Sequence, residues 1–313
     1  MTVEPTLDAH PEPADAVIAL RAFNRFHTRF SGVLQPDYLE SGLGLTAARL
    51  LYEIAQAGDG VLASVLRDRL GLDAGHASRT LASFERRGWI RRSRAADARQ
   101  RPITLTDAGR AFFDAMDART RADTERRIAG LDSGQRADLT AALARARLLL
   151  GDGLAWSIRP FRTGDLALVA ARQTLLYERE YGWGRAMELL QGEIASAFLR
   201  DFKPGREQCW IAEADGAMLG AVLLTDASCN VGQLRLLHVE REARGLGIGR
   251  ALVDQCIGFA GKAGYDRLKL WTQDILTGAR RIYEAAGFIR TASEAHNIFG
   301  ARMNGETWER PLP

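Results

Sequence analysis

The fold of the second half of this 313-residue chain is decided by the stretch Arg244-Gly245-Leu246-Gly247-Ile248-Gly249-Arg250. It follows an apolar, strand-like run at 234–239 and precedes a helix-like run at 251–263. A strand, a glycine loop and a helix in this order predict an anion site. Free N–H groups and the helix dipole favour negative charge there, and glycine lets the anion approach closely. We therefore expect a diphosphate at this loop.

The spacing of the glycines excludes two common phosphate-binding motifs. The dinucleotide motif G-x-G-x-x-G needs a glycine where Arg250 or Leu252 stands, and the P-loop needs Gly-Lys-Ser/Thr, which is absent. The pattern that remains is R-x-x-G-x-G, formed by Arg244, Gly247 and Gly249.

A second motif lies downstream, beyond a strand-like run at 268–272. In this order the two motifs resemble those of the GNAT superfamily of acyl-CoA-dependent N-acetyltransferases. The resemblance extends over residues 156–310 and implies an α/β GNAT acyltransferase fold with a mixed central sheet, and acetyl-CoA as the cofactor. The second motif reads Ala279-x-x-x-Tyr283-x-x-x-Gly287-Phe288.

The GNAT resemblance assigns roles to particular residues. It implies that the backbone of a splayed strand at Leu237 and Val239 holds the pantetheine arm. It also implies direct acetyl transfer, with Tyr283 as the catalytic acid that protonates the departing thiolate. The residues expected around the diphosphate are Arg244, Gly245, Gly247, Ile248, Gly249 and Arg250.

One position departs from the family pattern. The family often has an Asn three residues before the helical Ala, and here that position is Leu276. Two readings stay open. Either the missing amide weakens a contact to the pantetheine or the thiol, or Thr272 and Gln273 replace it.

The acceptor end of the site is less constrained. The amine has to reach the thioester uncharged, so a base or a water has to take its proton. Candidate bases are Glu180, Glu213, His238 and His296, and their spacing does not rank them. Aromatic side chains there could cage a cationic amine or only close the core. The residues expected at the substrate end are Tyr181, Trp183, His296 and Phe299, together with Glu306 and Trp308.

The first half of the chain is rich in arginine. Residues 1–150 hold 22 Arg and 19 acidic residues and account for the whole net charge of +3. Such a basic cluster predicts a nucleic-acid backbone as partner, or else a solvated face. Seven arginines fall within sixteen positions: Arg86, Arg87, Arg91, Arg92, Arg94, Arg99 and Arg101.

The pattern around this cluster is that of a winged helix-turn-helix. A short helix at 61–70 is followed by the link Gly71-Leu72-Asp73 and by a helix at 74–87 that Asp73 can cap. Strand-like runs at 89–94 and 101–105 predict a wing.

Two long helices are expected after the wing. They span 107–129 and 134–150, and Thr106 and Ser133 are the polar residues at their starts. Their apolar sides have no local cover, so we expect a partner subunit and a homodimer.

The order of these elements resembles the MarR family of winged-helix transcriptional regulators over residues 15–150. The residues that carry the likeness are Asp97-Ala98-Arg99 and Ile103-Thr104-Leu105-Thr106-Asp107-Ala108-Gly109. The resemblance implies that the helix at 74–87 reads the major groove of double-stranded DNA and that Arg99 enters the minor groove. The helix contacts implied are His76, Ser78, Arg79 and Thr80.

The composition bounds the cellular setting. The N-terminus carries acids before any basic residue, and the longest uncharged apolar segment near the middle, 216–225, is too short to cross a membrane. We expect a cytoplasmic protein without membrane contact. Cys209, Cys229 and Cys256 lack metal-ligand spacing, so we expect reduced packing cysteines and no metal.

Together these patterns predict a loose tail at 1–14, a mostly α winged helix-turn-helix domain for DNA binding and dimerisation at 15–150, and a GNAT N-acetyltransferase domain at 154–313. The predicted function is that of a transcriptional regulator fused to an enzyme that transfers acetyl from acetyl-CoA to an amine. The alternative is a DNA-binding regulator whose second domain senses an acyl-CoA or an amine without catalysis.

Overall fold

The computed structural model describes residues 13–32, 34, 38, 41–58, 60–93, 101–153, 155–227 and 230–312. The chain divides into two compact units, Met1–Gly130 and Leu131–Pro313. Most of the predicted tail and the predicted wing residue Arg99 lie outside the described residues. Pro13, which the prediction places in the tail, is the first residue of a helix.

The first unit is mostly helical, as predicted. Its apolar centre contains Leu50, Leu51, Leu66, Phe84 and Ile103, all almost fully buried. The elements are α1 Pro13–Phe30, α2 Leu45–Gln56, α3 Ala63–Leu70, α4 Ala74–Arg86, β1 Ile90–Arg92, β2 Ile103–Leu105 and α5 Asp107–Arg127.

Local capping explains where the helices of the helix-turn-helix begin and end. Gly71 ends α3 with a left-handed φ of 61°, which glycine adopts without steric cost. The Asp73 side chain then accepts hydrogen bonds from the N–H groups of Gly75 and His76 at the start of α4. Thr106 caps α5 in the same way, through the N–H of Gly109.

The second unit contains a seven-stranded sheet with helices on both faces. A 3₁₀ turn, Arg241–Ala243, follows its central strand. The elements are α6 Ser133–Leu149, β3 Ser157–Pro160, α7 Asp165–Tyr181, α8 Gly184–Asp201, β4 Gln208–Ala214, β5 Ala217–Asp226, β6 Val231–Val239, α9 Ile248–Lys262, β7 Arg267–Gln273, α10 Thr277–Ala285, β8 Ile289–His296 and β9 Met303–Pro311.

The strand order is β3-β4-β5-β6-β7-β9-β8. Among the described strands, β6 and β7 pair in parallel and the other neighbours are antiparallel. This arrangement confirms the mixed sheet that the sequence predicts.

The centre of the sheet splits open. Pairing between β6 and β7 stops at Leu234 and Leu270, although both strands continue. On its other side β6 carries a bulge against β5, where Leu236 has a φ of 52°. The bulge bends β6 at the point where it separates from β7, and the gap between the two strands contains the candidate site.

Helix α6 lies in the second unit, although its place in the sequence predicts that it belongs to the first domain. Leu148 is buried in the same core as β5 and α9, so the second unit covers part of the apolar side that the sequence leaves uncovered. Its cap also differs from the prediction. Asp132, not Ser133, accepts from the N–H of Gln135, and the Gln135 side chain accepts from the N–H of Asp132.

No helix in the described part of the chain is long and apolar enough to cross a membrane.

The start of α5 makes a steric prediction. A Cβ at Gly109 would lie 1.9 Å from the backbone oxygen of Trp89, so backbone has to move before any side chain fits. We expect Gly109→Ala to lower the free energy of unfolding of the first unit by about 2 kcal/mol or more, measured by chemical denaturation.

The matched control is Gly130→Ala, since a Cβ at Gly130 meets nothing within 4 Å. Its stability should be unchanged or slightly higher, because alanine reduces the freedom of the unfolded chain. Equal stabilities of the two variants would contradict the described packing of α5 on Trp89.

Candidate active site and nucleic-acid interface

The glycine loop between β6 and α9 is shaped by its glycines. Gly245 and Gly247 have φ values of 83° and 80°, which other residues adopt rarely. The first helical bond of α9 runs from the N–H of Ala251 to the oxygen of Gly247. The N–H groups of residues 248–250 therefore precede the helical ladder and are available to an anion.

Gly249 is needed because a side chain would not fit there, not because of its backbone conformation. A Cβ at this position would lie 2.8 Å from Cδ1 of Ile282 on α10. Glycine therefore allows α9 and α10 to approach each other beside the loop.

A cleft of about 670 Å³ opens at the glycine loop. Its walls come from the end of β6, from α7 and from the first turns of α9 and α10. The structure brings every predicted cofactor-binding residue to this cleft: Leu237, Val239, Arg244, Gly245, Gly247, Ile248, Gly249 and Arg250.

Two arginines of the loop are held by neighbours. Arg244 pairs with Glu180 of α7 at 2.8 Å. Arg250 pairs with Asp254 at 2.8 Å and donates to the backbone oxygen of Ala285 at 3.0 Å. Glu180, a candidate base in the sequence, is therefore engaged by a cation at the cleft.

A second cavity of about 140 Å³ lies where β6 and β7 separate. We call it the acceptor cavity. Its lining comes from α7, α8, β6, β7 and α10, and it contains Tyr283. The residues that line both the acceptor cavity and the cleft are Tyr177, Leu237, Leu276 and Ala279, so the two spaces adjoin each other.

Tyr283 lies in the wall of the acceptor cavity and is 5% exposed. Its ring packs edge-on against Phe288, with 5.9 Å between the ring centroids. Burial raises the pKa of the Tyr283 phenol far above its ordinary value. The hydroxyl therefore keeps its proton at neutral pH, as a proton donor must.

The predicted substrate residues separate into three places. Trp183 and Phe299 stack with 4.6 Å between their ring centroids and line the acceptor cavity. Tyr181 lines the cleft instead. His296 lies behind the cavity wall, where its Nε2 is 2.8 Å from Oε1 of Gln273.

Two of the candidate bases are placed away from the acceptor cavity. His238 lines the cleft and is 4% exposed. Burial lowers the pKa of His238, so its imidazole is neutral at neutral pH. Glu213 lies on β4 and pairs with Arg159 of β3 at 2.6 Å.

The position that departs from the GNAT pattern lies at the junction of the two spaces. Leu276 precedes the first turn of α10 and lines both of them. Thr272 and Gln273, the suggested replacements for the missing amide, line the acceptor cavity. His296 engages the amide oxygen of Gln273.

Glu306, which the sequence predicts at the substrate end, is instead a buried ion-pair partner. It is 1% exposed on β9 and accepts a hydrogen bond from Trp308 at 3.0 Å. Arg290 and Arg280 pair with it at 2.8 and 3.2 Å. Neither Glu306 nor Trp308 is among the described residues that line the acceptor cavity.

Several residues of the acceptor cavity escaped the sequence analysis. Gln173 and Tyr177 lie on α7, Gln191 on α8, Arg235 on β6 and Trp271 on β7. The alternation of side chains along β6 could have indicated Arg235, because it places residues 233 and 235 on the face opposite Leu234.

Helix α4 exposes the residues predicted to contact DNA. His76, Ser78 and Arg79 are exposed, and Thr80 is half-buried with its hydroxyl donating to the backbone oxygen of His76. The opposite side of α4 buries Ala77, Leu81 and Phe84. The polar face is therefore free of the core of the first unit.

Further arginines of the first unit are also exposed. They lie at the end of α4 and in the segments that follow it, and they are Arg86, Arg87, Arg91 and Arg101. Arg92 is half-buried and lies 3.5 Å from Glu85. An exposed basic surface of this kind suits a phosphate backbone.

Two family models match the chain. The acetyltransferase (GNAT) family model matches residues 171–288, and the MarR family model matches residues 41–101. The first match contains the glycine loop and Tyr283, and the second contains α4.

The curated relatives that match the chain include two acetyltransferases from different organisms. An uncharacterized N-acetyltransferase of Schizosaccharomyces pombe is 30% identical over 123 residues, which are 39% of this chain and 75% of the relative. Mycothiol acetyltransferase of Beutenbergia cavernae is 34% identical over 83 residues, 26% of this chain and 28% of the relative. This chain therefore spans only about a quarter of the mycothiol enzyme.

Among solved structures, an acetyltransferase of the GNAT family from Staphylococcus aureus Mu50 is 19% identical, with a TM-score of 0.43. It covers 51% of this chain and 100% of its own length.

The chain thus belongs to the GNAT acetyltransferase family through its second unit, and a MarR-family segment precedes that unit.

Proposed function

We propose that this protein transfers an acetyl group from acetyl-CoA to an amine, and that its MarR-like unit binds double-stranded DNA as a homodimer. The observation that carries the enzymatic part is the junction of two spaces. A cleft at the start of α9 adjoins a cavity at the split between β6 and β7, and Tyr283 lies in the wall of that cavity.

The residues of the cleft fit acetyl-CoA. The N–H groups at the start of α9 and the side chain of Arg244 would hold the diphosphate. Gly245 and Gly247 have open space where a Cβ would be, so a phosphate can approach the backbone. Beyond Leu234 the edge of β6 has no partner in β7, and its backbone groups around Leu237 and Val239 would pair with the amides of the pantetheine arm.

Acetyl-CoA supplies an acetyl thioester, whose carbonyl carbon the amine attacks and whose C–S bond breaks. The chain's part is to hold the amine in the acceptor cavity, beside the shared wall of Tyr177, Leu237, Leu276 and Ala279. The hydroxyl of Tyr283 donates a proton to the leaving sulfur and then regains one from solvent.

The amine proton leaves by way of water. The described residues that line the acceptor cavity include no Asp, Glu or His. Burial raises the pKa of Tyr177, another hydroxyl of the cavity, to about 12. Neither tyrosine is ionised near neutral pH, so solvent takes the proton of the ammonium form before the attack and the second proton that the nitrogen loses after it.

The DNA-binding part of the proposal rests on α4 and on α1. The exposed residues of α4 would enter the major groove, and the exposed arginines beside it would contact phosphates. Helix α1 exposes large apolar side chains that a second copy would cover. These are Val17, Ile18, Leu20, Phe23 and Phe26.

A non-catalytic sensor is the competing function, and Leu276 is the observation that favours it. A leucine stands at the junction of the cleft and the cavity, where the family often has an amide. The two functions separate in one experiment: release of free thiol from acetyl-CoA, screened over amino acids, polyamines and lysine peptides. Turnover with any amine excludes the sensor. Tight acetyl-CoA binding without turnover excludes the enzyme.

Gly247→Asp tests the position of the cofactor. The carboxylate would project toward the diphosphate, so we expect acetyl-CoA affinity to fall by about 100-fold or more, measured by calorimetry. The matched control is Gly264→Asp at the far end of α9. It has a φ of 76° and open space like Gly247, so it carries the same strain and charge and should bind normally. Normal affinity in Gly247→Asp would place the cofactor elsewhere.

Tyr283→Phe tests the proton donor. The change removes only the hydroxyl, so the fold and acetyl-CoA affinity should be retained while kcat falls by about 100-fold or more. The control is Tyr265→Phe, because that buried phenol donates to the backbone oxygen of Arg206, away from both spaces. A packing role for Tyr283 would leave kcat unchanged in both variants.

Arg79→Ala tests the DNA-binding helix. The wild-type protein should select an inverted repeat from a random duplex pool, with half-sites about one helical turn apart, and its affinity should fall steeply with salt. Arg79→Ala should weaken the selected site by about tenfold or more. Arg200→Ala, which removes an exposed charge from α8, is the control. Failure of the wild type to select any sequence would refute the assignment.

A further inference from the structure

The acceptor cavity contains an arginine that has no partner among the described residues. Arg235 follows Leu234, the last residue of β6 that pairs with β7, and it lines the cavity. Within the part of the chain that the structure describes, its guanidinium forms no hydrogen bond or ion pair. The described lining residues include no Asp or Glu, so nothing in the cavity wall balances this charge.

Several other arginines of the second unit have carboxylate partners. Arg172 pairs with Glu240 at 2.5 Å, Arg244 with Glu180 at 2.8 Å and Arg159 with Asp165 at 2.6 Å. Arg235 has no such partner among the described residues.

Burial works against the charge of Arg235. It lowers the pKa of the Arg235 guanidinium, and no neighbouring charge offsets that effect. Arginine nevertheless stays protonated in proteins. A cation that loses water and gains no partner destabilises the fold. A bound anion would remove this cost.

Two buried amides in the same cavity also have unused capacity. Gln173 and Gln191 are each 3% exposed. The amide nitrogen of Gln173 donates to the backbone oxygen of Leu237 at 3.2 Å, which fixes the orientation of its side chain. The oxygens of both amides are buried without a hydrogen-bond partner among the described residues. They are free to accept N–H bonds from a ligand.

The cavity thus offers a cation and two acceptor oxygens between aromatic walls. The cation suits a carboxylate, which accepts two parallel hydrogen bonds from a guanidinium. The acceptor oxygens suit the N–H groups of an amine. The volume of about 140 Å³ is close to that of a cavity of ~150 Å³ that holds a benzene ring, so the ligand is a small molecule.

We propose that the acceptor is a small amine that carries a carboxylate, such as a free amino acid, and that Arg235 binds this carboxylate. The inference deepens the proposed acetyltransferase function and rests on it. Arg235 is then a substrate-binding residue, and its charge determines which amines are preferred. A polyamine, which brings further positive charge into a cavity that already holds a cation, is excluded as the preferred acceptor.

The experiment compares amines that differ only in the carboxylate. Alanine, leucine and phenylalanine are paired with ethylamine, 3-methylbutylamine and 2-phenylethylamine, and the three amino acid amides add a neutral version of the carboxyl group. Thiol release is measured with the full chain and saturating acetyl-CoA. For the best pair we expect kcat/KM to favour the amino acid by about 10- to 100-fold over both the amine and the amide.

Arg235→Gln should remove this preference while leaving acetyl-CoA affinity unchanged. The variant should be at least as stable as the wild type, since it loses an unpaired, partly desolvated charge. Arg235→Lys keeps the charge without the planar fork and should retain part of the preference. The matched control is Lys269→Gln, since Lys269 lies beside Gln233 in the sheet but is absent from the cavity lining.

A binding measurement keeps this inference separate from the enzymatic proposal. With CoA present, calorimetry compares the N-acetyl derivatives of the three amino acids with those of the three amines. If no amine is acetylated, the enzymatic proposal fails and this measurement alone decides the role of Arg235. The inference is overturned if the wild type shows no carboxylate preference in the available assay, or if Arg235→Gln retains that preference.

Discussion

The candidate site depends on the loss of pairing between two parallel strands. β6 and β7 share a ladder only as far as Leu234 and Leu270, and the bulge at Leu236 bends β6 away. A sheet that stayed paired would satisfy its backbone groups internally and leave no cavity. The split leaves backbone groups exposed along one edge of β6 and, at the same time, opens space beneath α7 and α8. The proposed binding of the pantetheine arm and the proposed binding of the amine therefore both depend on the split between β6 and β7.

A buried carboxylate fixes the end of β6. Glu240 is 4% exposed, and its N–H donates to the backbone oxygen of Leu219. Arg172 pairs with it from α7, and Arg145 lies 3.4 Å away on α6. Removing one partner of such a buried group is strongly destabilising, because the remaining charge is left uncompensated. The glycine loop begins only a few residues later, so three elements hold its starting point in place.

The parts of the fold that were predictable from the sequence are local. The glycine loop needs particular backbone conformations at Gly245 and Gly247, and Asp73 caps α4 through its nearest neighbours, so short stretches encode them. The acceptor cavity is different. Arg235 reaches it only because β6 leaves β7 at a particular register, and that register is set by contacts far apart in the sequence. Periodicity could place Arg235 on a face of the strand, but not in the wall of a cavity that Gln191 also lines.

Helix α6 shows that this fusion is not two modules joined end to end. A chain that begins at residue 154 would lack Leu148 from its core and leave Glu240 with Arg172 as its remaining described partner. A fragment that keeps these contacts therefore has to begin near Leu131. It then includes α6, a helix whose place in the sequence predicts that it belongs to the MarR-like unit. Exchange of the MarR-like unit for another has to keep α6 with the sheet, so the exchangeable boundary lies one helix earlier than the motifs suggest.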